Sequence, residues 1–112
     1  MADQTSNVTI GGYPCVCVKL TSADFTDIAA VYVVICVYKG GSWKVLDVGQ
    51  TGELGDRIDS HDRRACWWNN CPSNNIWVCV YRMPSDKYTK QDTLEVEKHI
   101  RNTQSTVPCG KR

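Results

Sequence analysis

The sequence predicts an α+β domain in which helices flank a small antiparallel sheet of three strands, and three observations predict it. Two apolar, β-branched runs, "AVYVVICVY" (30–38) and "WKVLDVG" (43–49), are separated by "KGGS", and paired glycines between strand-like runs signal a tight hairpin. After Gly49 the apolar period changes from a strand's to a helix's, with Leu54 and Ile58 four residues apart. A further strand-like run, "IWVCVYRM" (76–83), precedes a helical pattern that carries its own start signal.

Taken in order, residues 1–27 read as an N-terminal extension. There "CVCVKL" is a short β-type run, and "TSADFTDIAA" (21–30), which runs past its end, is either a short helix or a loop. The run at 30–38 is continuously apolar, as expected of a strand covered on both faces, so it is placed at the sheet centre with 43–49 as its antiparallel neighbour. The stretch after Gly49, "QTGELGDRIDSHDRR" (50–64), takes the helical period, and Arg57 and His61 share one side of that helix. "ACWWNNCPSNN" reads as a loop. The last helix runs through "YTKQDTLEVEKHIRNTQ", where Thr89 and Asp92 fit a loose capping box, and "TVPCGKR" cannot continue it. The 112 residues contain no repeat and no linker, so they are read as a single domain.

Net charge is +1 and 22% of residues are charged, which excludes a protein that coats nucleic acid by bulk charge. Any nucleic-acid contact must be local. The first residues, "MADQTSNVTIGGYP", have neither the basic nor the apolar part of an export signal, and "IAAVYVVICVY" is too short to span a membrane. The expected compartment is the cytoplasm, so most of the seven cysteines are expected to be reduced, with those in strands packing as small hydrophobes. An alternative places Cys66, Cys71 and Cys109 with His61 as a tetrahedral zinc site, although "CWWNNC" has four intervening residues and no second close pair follows.

The ordered set of hairpin, glycine turn, helix with Arg and His, strand, and helix with Glu resembles the GIY-YIG nuclease superfamily over about residues 28 to 110. "AVY" (30–32) stands at the family's first tripeptide and "DVG" (47–49) at its second, while "GQT", "ELGDR", "RIDSH", "EKHI" and the ending "PCG" resemble its later motifs. The sequence departs from that pattern at Ala30, at Asp47, which replaces the second tripeptide's tyrosine, and at Cys109 or Gly110, where many members have an asparagine.

The resemblance implies a metal-dependent DNA endonuclease. Tyr32 would take a proton from the attacking water, Arg57 would grip the phosphate, and His61 would assist Tyr32 as base or orient the water. Glu97 would hold one divalent cation, Mg²⁺ or alternatively Mn²⁺. Asp47 would either bridge to a cation or mark a catalytically inactive, nucleic-acid-binding module on the same scaffold. Arg63, Arg64, Trp67 and Trp68 form a basic-aromatic stretch suited to phosphate contact and base stacking, with Lys39, Lys44 and Arg82 able to extend it. A homodimer or a recruiting protein partner would supply targeting. A third reading, resting on cysteine count alone, is a zinc-stabilised or redox-responsive interaction domain.

Overall fold

A computed structural model describes residues 5–104 and 106–109; Gly110, named above, lies outside them. Five strands form one antiparallel sheet: β1 (Thr5–Ile10), β2 (Tyr13–Lys19), β3 (Ala30–Val37), β4 (Trp43–Thr51) and β5 (Ile76–Arg82), in the order β1-β2-β5-β3-β4. The three-stranded expectation is therefore corrected. The N-terminal segment is not an appendage, because Gly11 and Gly12 turn it into a hairpin with φ of 59° and 88°, the same left-handed pair that Gly40 and Gly41 supply between β3 and β4. β2 then pairs with β5 from Val16 to Lys19. That pairing begins beyond Pro14, which has no N–H to give a second neighbour.

β3 lies inside the sheet with every residue from Ala30 to Cys36 buried, which accounts for its unbroken apolar sequence. Its alternate residues feed two cores. Tyr32, Val34 and Cys36 pack with Leu46, Leu54, Ile58 and Trp67, while Val31, Val33 and Ile35 pack with Val45, Val48, Val96 and Ile100. Helices α1 (Leu54–Asp59) and α2 (Arg64–Asn69) cover the first core and α3 (Lys90–Asn102) covers the second.

The register of β3 against β4 slips between Val34, opposite Asp47, and Ile35, opposite Val45. Leu46 is the extra residue of a bulge. Leu46 and Asp47, although adjacent, therefore both serve the α2 side: Leu46 joins the Trp67 core, and Asp47 accepts the Trp67 indole N–H.

Two helical expectations are also corrected. The helix carrying Arg57 ends at Asp59, with Ser60 as its C-cap, so His61 sits in the corner between α1 and α2 rather than on the helix. Residues 64–69, read as loop, form α2. Helix α1 has no side-chain cap of its own at Glu53; instead Asp27 Oδ1 accepts the Asp56 N–H at 2.8 Å, a partner 29 positions away. Helix α3 begins as expected, on a capping box in which Thr89 and Asp92 exchange side-chain and backbone hydrogen bonds.

The cysteines differ most from expectation. Cys17–Cys79, Cys36–Cys71 and Cys66–Cys109 are disulfides, and Cys15 alone is a buried free thiol, pushed up to about 11 chiefly by burial. Cys17 and Cys79 are direct register partners on β2 and β5, a proximity that became visible only once β2 was placed in the sheet. The Cys109 N–H donates to the Leu46 carbonyl, so the tail bound to α2 through Cys66 also covers the outer side of β4. Among the described residues no helix is long and apolar enough to cross a membrane.

Candidate functional site

Tyr32 is 1% exposed and reaches across β4 at Gly49, its register partner. Only glycine fits there, since a Cβ at 49 would lie 2.3 Å from the phenol oxygen. That oxygen is 2.7 Å from His61 Nε2, and the two rings meet nearly edge-on. His61 is in turn packed against Trp67, with ring centroids 4.5 Å apart, and its Nδ1 accepts the backbone N–H of Arg63 at 3.1 Å.

The electrostatics follow from burial. Burial pushes the Tyr32 phenol above its usual range; Arg57, by charge and by hydrogen bond, pulls it back part of the way, while Asp47 adds to the rise. His61 falls from 6.5 to about 4, because burial and then the Arg57 and Arg63 charges oppose a positive ring. His61 is therefore neutral near pH 7. Arg57 remains partly open to solvent, and its NH1 pairs with Asp62 at 3.4 Å, where Asp62 is 73% exposed. Such an exposed pair is weak, screened by solvent, so a phosphate can replace Asp62 at little cost.

Asp47 has no exposure, yet none of its charge is left unmatched. Its Oδ2 accepts from Arg63 Nε at 2.8 Å and from Trp67 Nε1 at 2.9 Å, and Arg101 NH2 lies 3.7 Å from Oδ1. Arg101, from α3, also donates to the Val48 carbonyl and, through Nε at 3.1 Å, to Glu97 Oε2. Two carboxylates and two guanidinium groups thus alternate from α2 across β4 to α3.

No family model, no curated protein and no solved structure matches this chain.

Tyr32, Arg57 and His61, singled out in the sequence, come together. Asp47 joins them through Trp67 and Arg63, while Glu97 is tied to Asp47 through Arg101. Trp67 is wholly buried and offers no face to a base, and Trp68 is partly buried against the same core. Arg64 donates to the Ile58 carbonyl at 2.8 Å and so closes the end of α1, and Arg63 is held by Asp47. Arg57, partly open to solvent, pairs with the exposed Asp62 and also hydrogen-bonds the Tyr32 phenol.

A divalent cation requires oxygen ligands, and Glu97 is a donor of the right kind. Its carboxylate, however, is 3% exposed and carries the Arg101 guanidinium, whose charge would oppose the cation's. As arranged, these residues do not fit a resident Mg²⁺ or Mn²⁺. The four-residue zinc set is not assembled either: Cys66 is bonded to Cys109, Cys71 to Cys36, and His61 to Tyr32. Arg101 was legible in the sequence only as an i,i+4 partner of Glu97; its reach to Asp47 and β4 had no sequence signal.

Proposed function

We propose that this domain acts on nucleic-acid phosphodiesters as an endonuclease, with Tyr32, His61 and Arg57 as its site. The observation that carries the reading is the 2.7 Å contact between the Tyr32 phenol and His61, beside an arginine whose other partner is an exposed aspartate. Arg57 exchanges Asp62 for a phosphate oxygen and brings the phosphodiester against the phenol. Tyr32, as a phenolate that has released its proton to solvent and is stabilised by the same guanidinium, takes a proton from the attacking water as the new P–O bond forms, while the ester P–O bond breaks and its oxygen is protonated by solvent. DNA is the substrate that the resemblance implies, and its grip is local, centred on Arg57.

A second reading is a silent nucleic-acid-binding module. It is favoured by Asp47, which is used up in a buried network rather than turned toward a substrate. The three disulfides favour an oxidising compartment over the cytoplasm for either reading.

The test is cleavage of supercoiled plasmid and branched DNA with Mg²⁺, with Mn²⁺ and with chelator, comparing wild type with Arg57→Ala, Tyr32→Phe and Glu97→Ala. Nicking by wild type and its loss of about 100-fold or more in Arg57→Ala is the expected result. An Arg57→Ala protein that nicks like wild type overturns the site. Binding of the same DNA without nicking under every condition establishes the module instead.

A further inference from the structure

We propose that Asp47 is a positioning residue that acts through Arg63 and Trp67: it fixes which nitrogen of His61 carries hydrogen, so that His61 donates to Tyr32 and the Tyr32 hydroxyl hydrogen is directed away from His61. This rests on the proposed reading only for its consequence in catalysis; the hydrogen-bond direction itself is a property of the folded protein.

Four groups lie against the His61 ring, from Tyr32, Asp62, Arg63 and Trp67, and Asp47 holds the last two of these residues. Arg63, clamped through Nε to Asp47 at 2.8 Å, presents its backbone N–H to Nδ1 at 3.1 Å. Trp67, held by its indole N–H on the same carboxylate oxygen at 2.9 Å, lays its ring against the imidazole. A backbone N–H can only donate, so Nδ1 presents a lone pair to it. A neutral imidazole has a single N–H, which therefore sits on Nε2, and Nε2 faces the phenol oxygen at 2.7 Å. The donor is His61 and the acceptor is Tyr32.

Asp62 is the competing partner for Nδ1. Its Oδ1 lies 3.4 Å away, farther than the Arg63 N–H, on a side chain that is mostly exposed and also paired with Arg57. An N–H on Nδ1 would have to face the Arg63 N–H, donor against donor, which makes the backbone contact the deciding one.

Of the two roles expected of His61 from sequence, this tautomer is incompatible with that of a base toward Tyr32. Occupied by its own hydrogen at Nε2, His61 cannot take the Tyr32 proton. It supplies a hydrogen bond that strengthens as the phenol oxygen becomes more negative, alongside Arg57. No proton moves onto His61, and the one on Tyr32 is free to point at a bound phosphate or water.

The tautomer is read from long-range ¹H–¹⁵N correlations of the His61 ring in uniformly labelled protein without nucleic acid. Wild type is expected to show a pyrrole-type nitrogen at Nε2 and a pyridine-type nitrogen at Nδ1. The reverse pattern overturns the proposal, and it does so without any variant having to fold. Asp47→Asn, with folding checked by its amide spectrum, is expected to give mixed tautomers, and unchanged wild-type ring shifts overturn the role of Asp47. Trp67→Phe, which keeps a ring but loses the indole N–H, is expected to disturb the tautomer less than Asp47→Asn does, because the Arg63 arm remains; a disturbance as large as that of Asp47→Asn overturns the route through Arg63. In the nicking assay, Asp47→Asn is expected to lower kcat about 10-fold or more with KM little changed, whereas a change confined to KM counts against positioning. Because the tautomer is read with no DNA present, a protein that cleaves nothing still decides the case of Asp47.

Discussion

His61 is a base held neutral by its surroundings, and that makes folding sensitive to acid. Burial, Arg57 and Arg63 lower its pKa from 6.5 to about 4 in the folded chain. Between those two values the unfolded chain binds a proton that the folded chain does not, so stability rises with pH there and is lost as pH falls from 6.5 toward about 4. Below that range the folded ring is protonated too and its contribution stops changing. The full swing is on the order of 3 kcal/mol. Urea unfolding at about pH 7 and about pH 4, compared between wild type and His61→Gln, isolates this group. The wild type is expected to lose more stability than the variant by that amount, and equal losses would sink the claim. Residue by residue, Tyr32, Arg57 and His61 were legible because their order along the chain is itself a pattern. Trp67 reads from sequence as a stacking surface, since its burial depends on an apolar cluster drawn from β3, β4 and α1 and its indole N–H is satisfied by an aspartate 20 positions earlier, turned inward by a bulge.

At the scale of elements, the candidate site depends on how closely β3 and β4 approach. Gly49 faces Tyr32 in register, and the space of its missing Cβ is filled by the phenol, with atoms at 2.3 and 2.4 Å from that position. Gly49→Ala must therefore push the ring away from His61 or part the strands. Overpacking of this kind costs about 1–3 kcal/mol, and the expected result is that loss in urea unfolding together with a shift of the His61 ring signals. A variant of unchanged stability with unchanged His61 signals would show that the strands yield without cost. The same scale explains which boundaries sequence reading could find. Helix α3 was placed because its capping box is written within four residues, 89 to 92. The sequence pattern runs helix α1 too long and gives no sign of α2, because their ends are set from afar: Asp27 caps α1, Arg64 closes it, and Cys66–Cys109 and Trp67–Asp47 pin α2.

For the molecule as a whole, the issue is what holds a 112-residue chain together, and the cysteines give an answer that composition concealed. An odd count reads as reduced thiols, and cysteines inside apolar strands look like small hydrophobes. Pairing depends on contacts between strands, and β2, hidden in the supposed extension, carries one half of Cys17–Cys79. The three bonds join positions 62, 35 and 43 apart, and in the chain-entropy account each such closure is worth about 4 kcal/mol. Their sum is comparable with the whole stability of a typical domain, about 5–15 kcal/mol. Alkylation of denatured, unreduced protein is therefore expected to label one cysteine, Cys15, and prior reduction to expose all seven. Reduction is also expected to unfold the domain or lower its Tm sharply, since the sheet, the α2 corner and the tail each lose a crosslink. A chain that labels at all seven positions as isolated and melts at the same temperature with or without reductant would show that packing alone suffices. The oxidising compartment would then lose its support, and the buried thiols would return to the hydrophobic role first read for them.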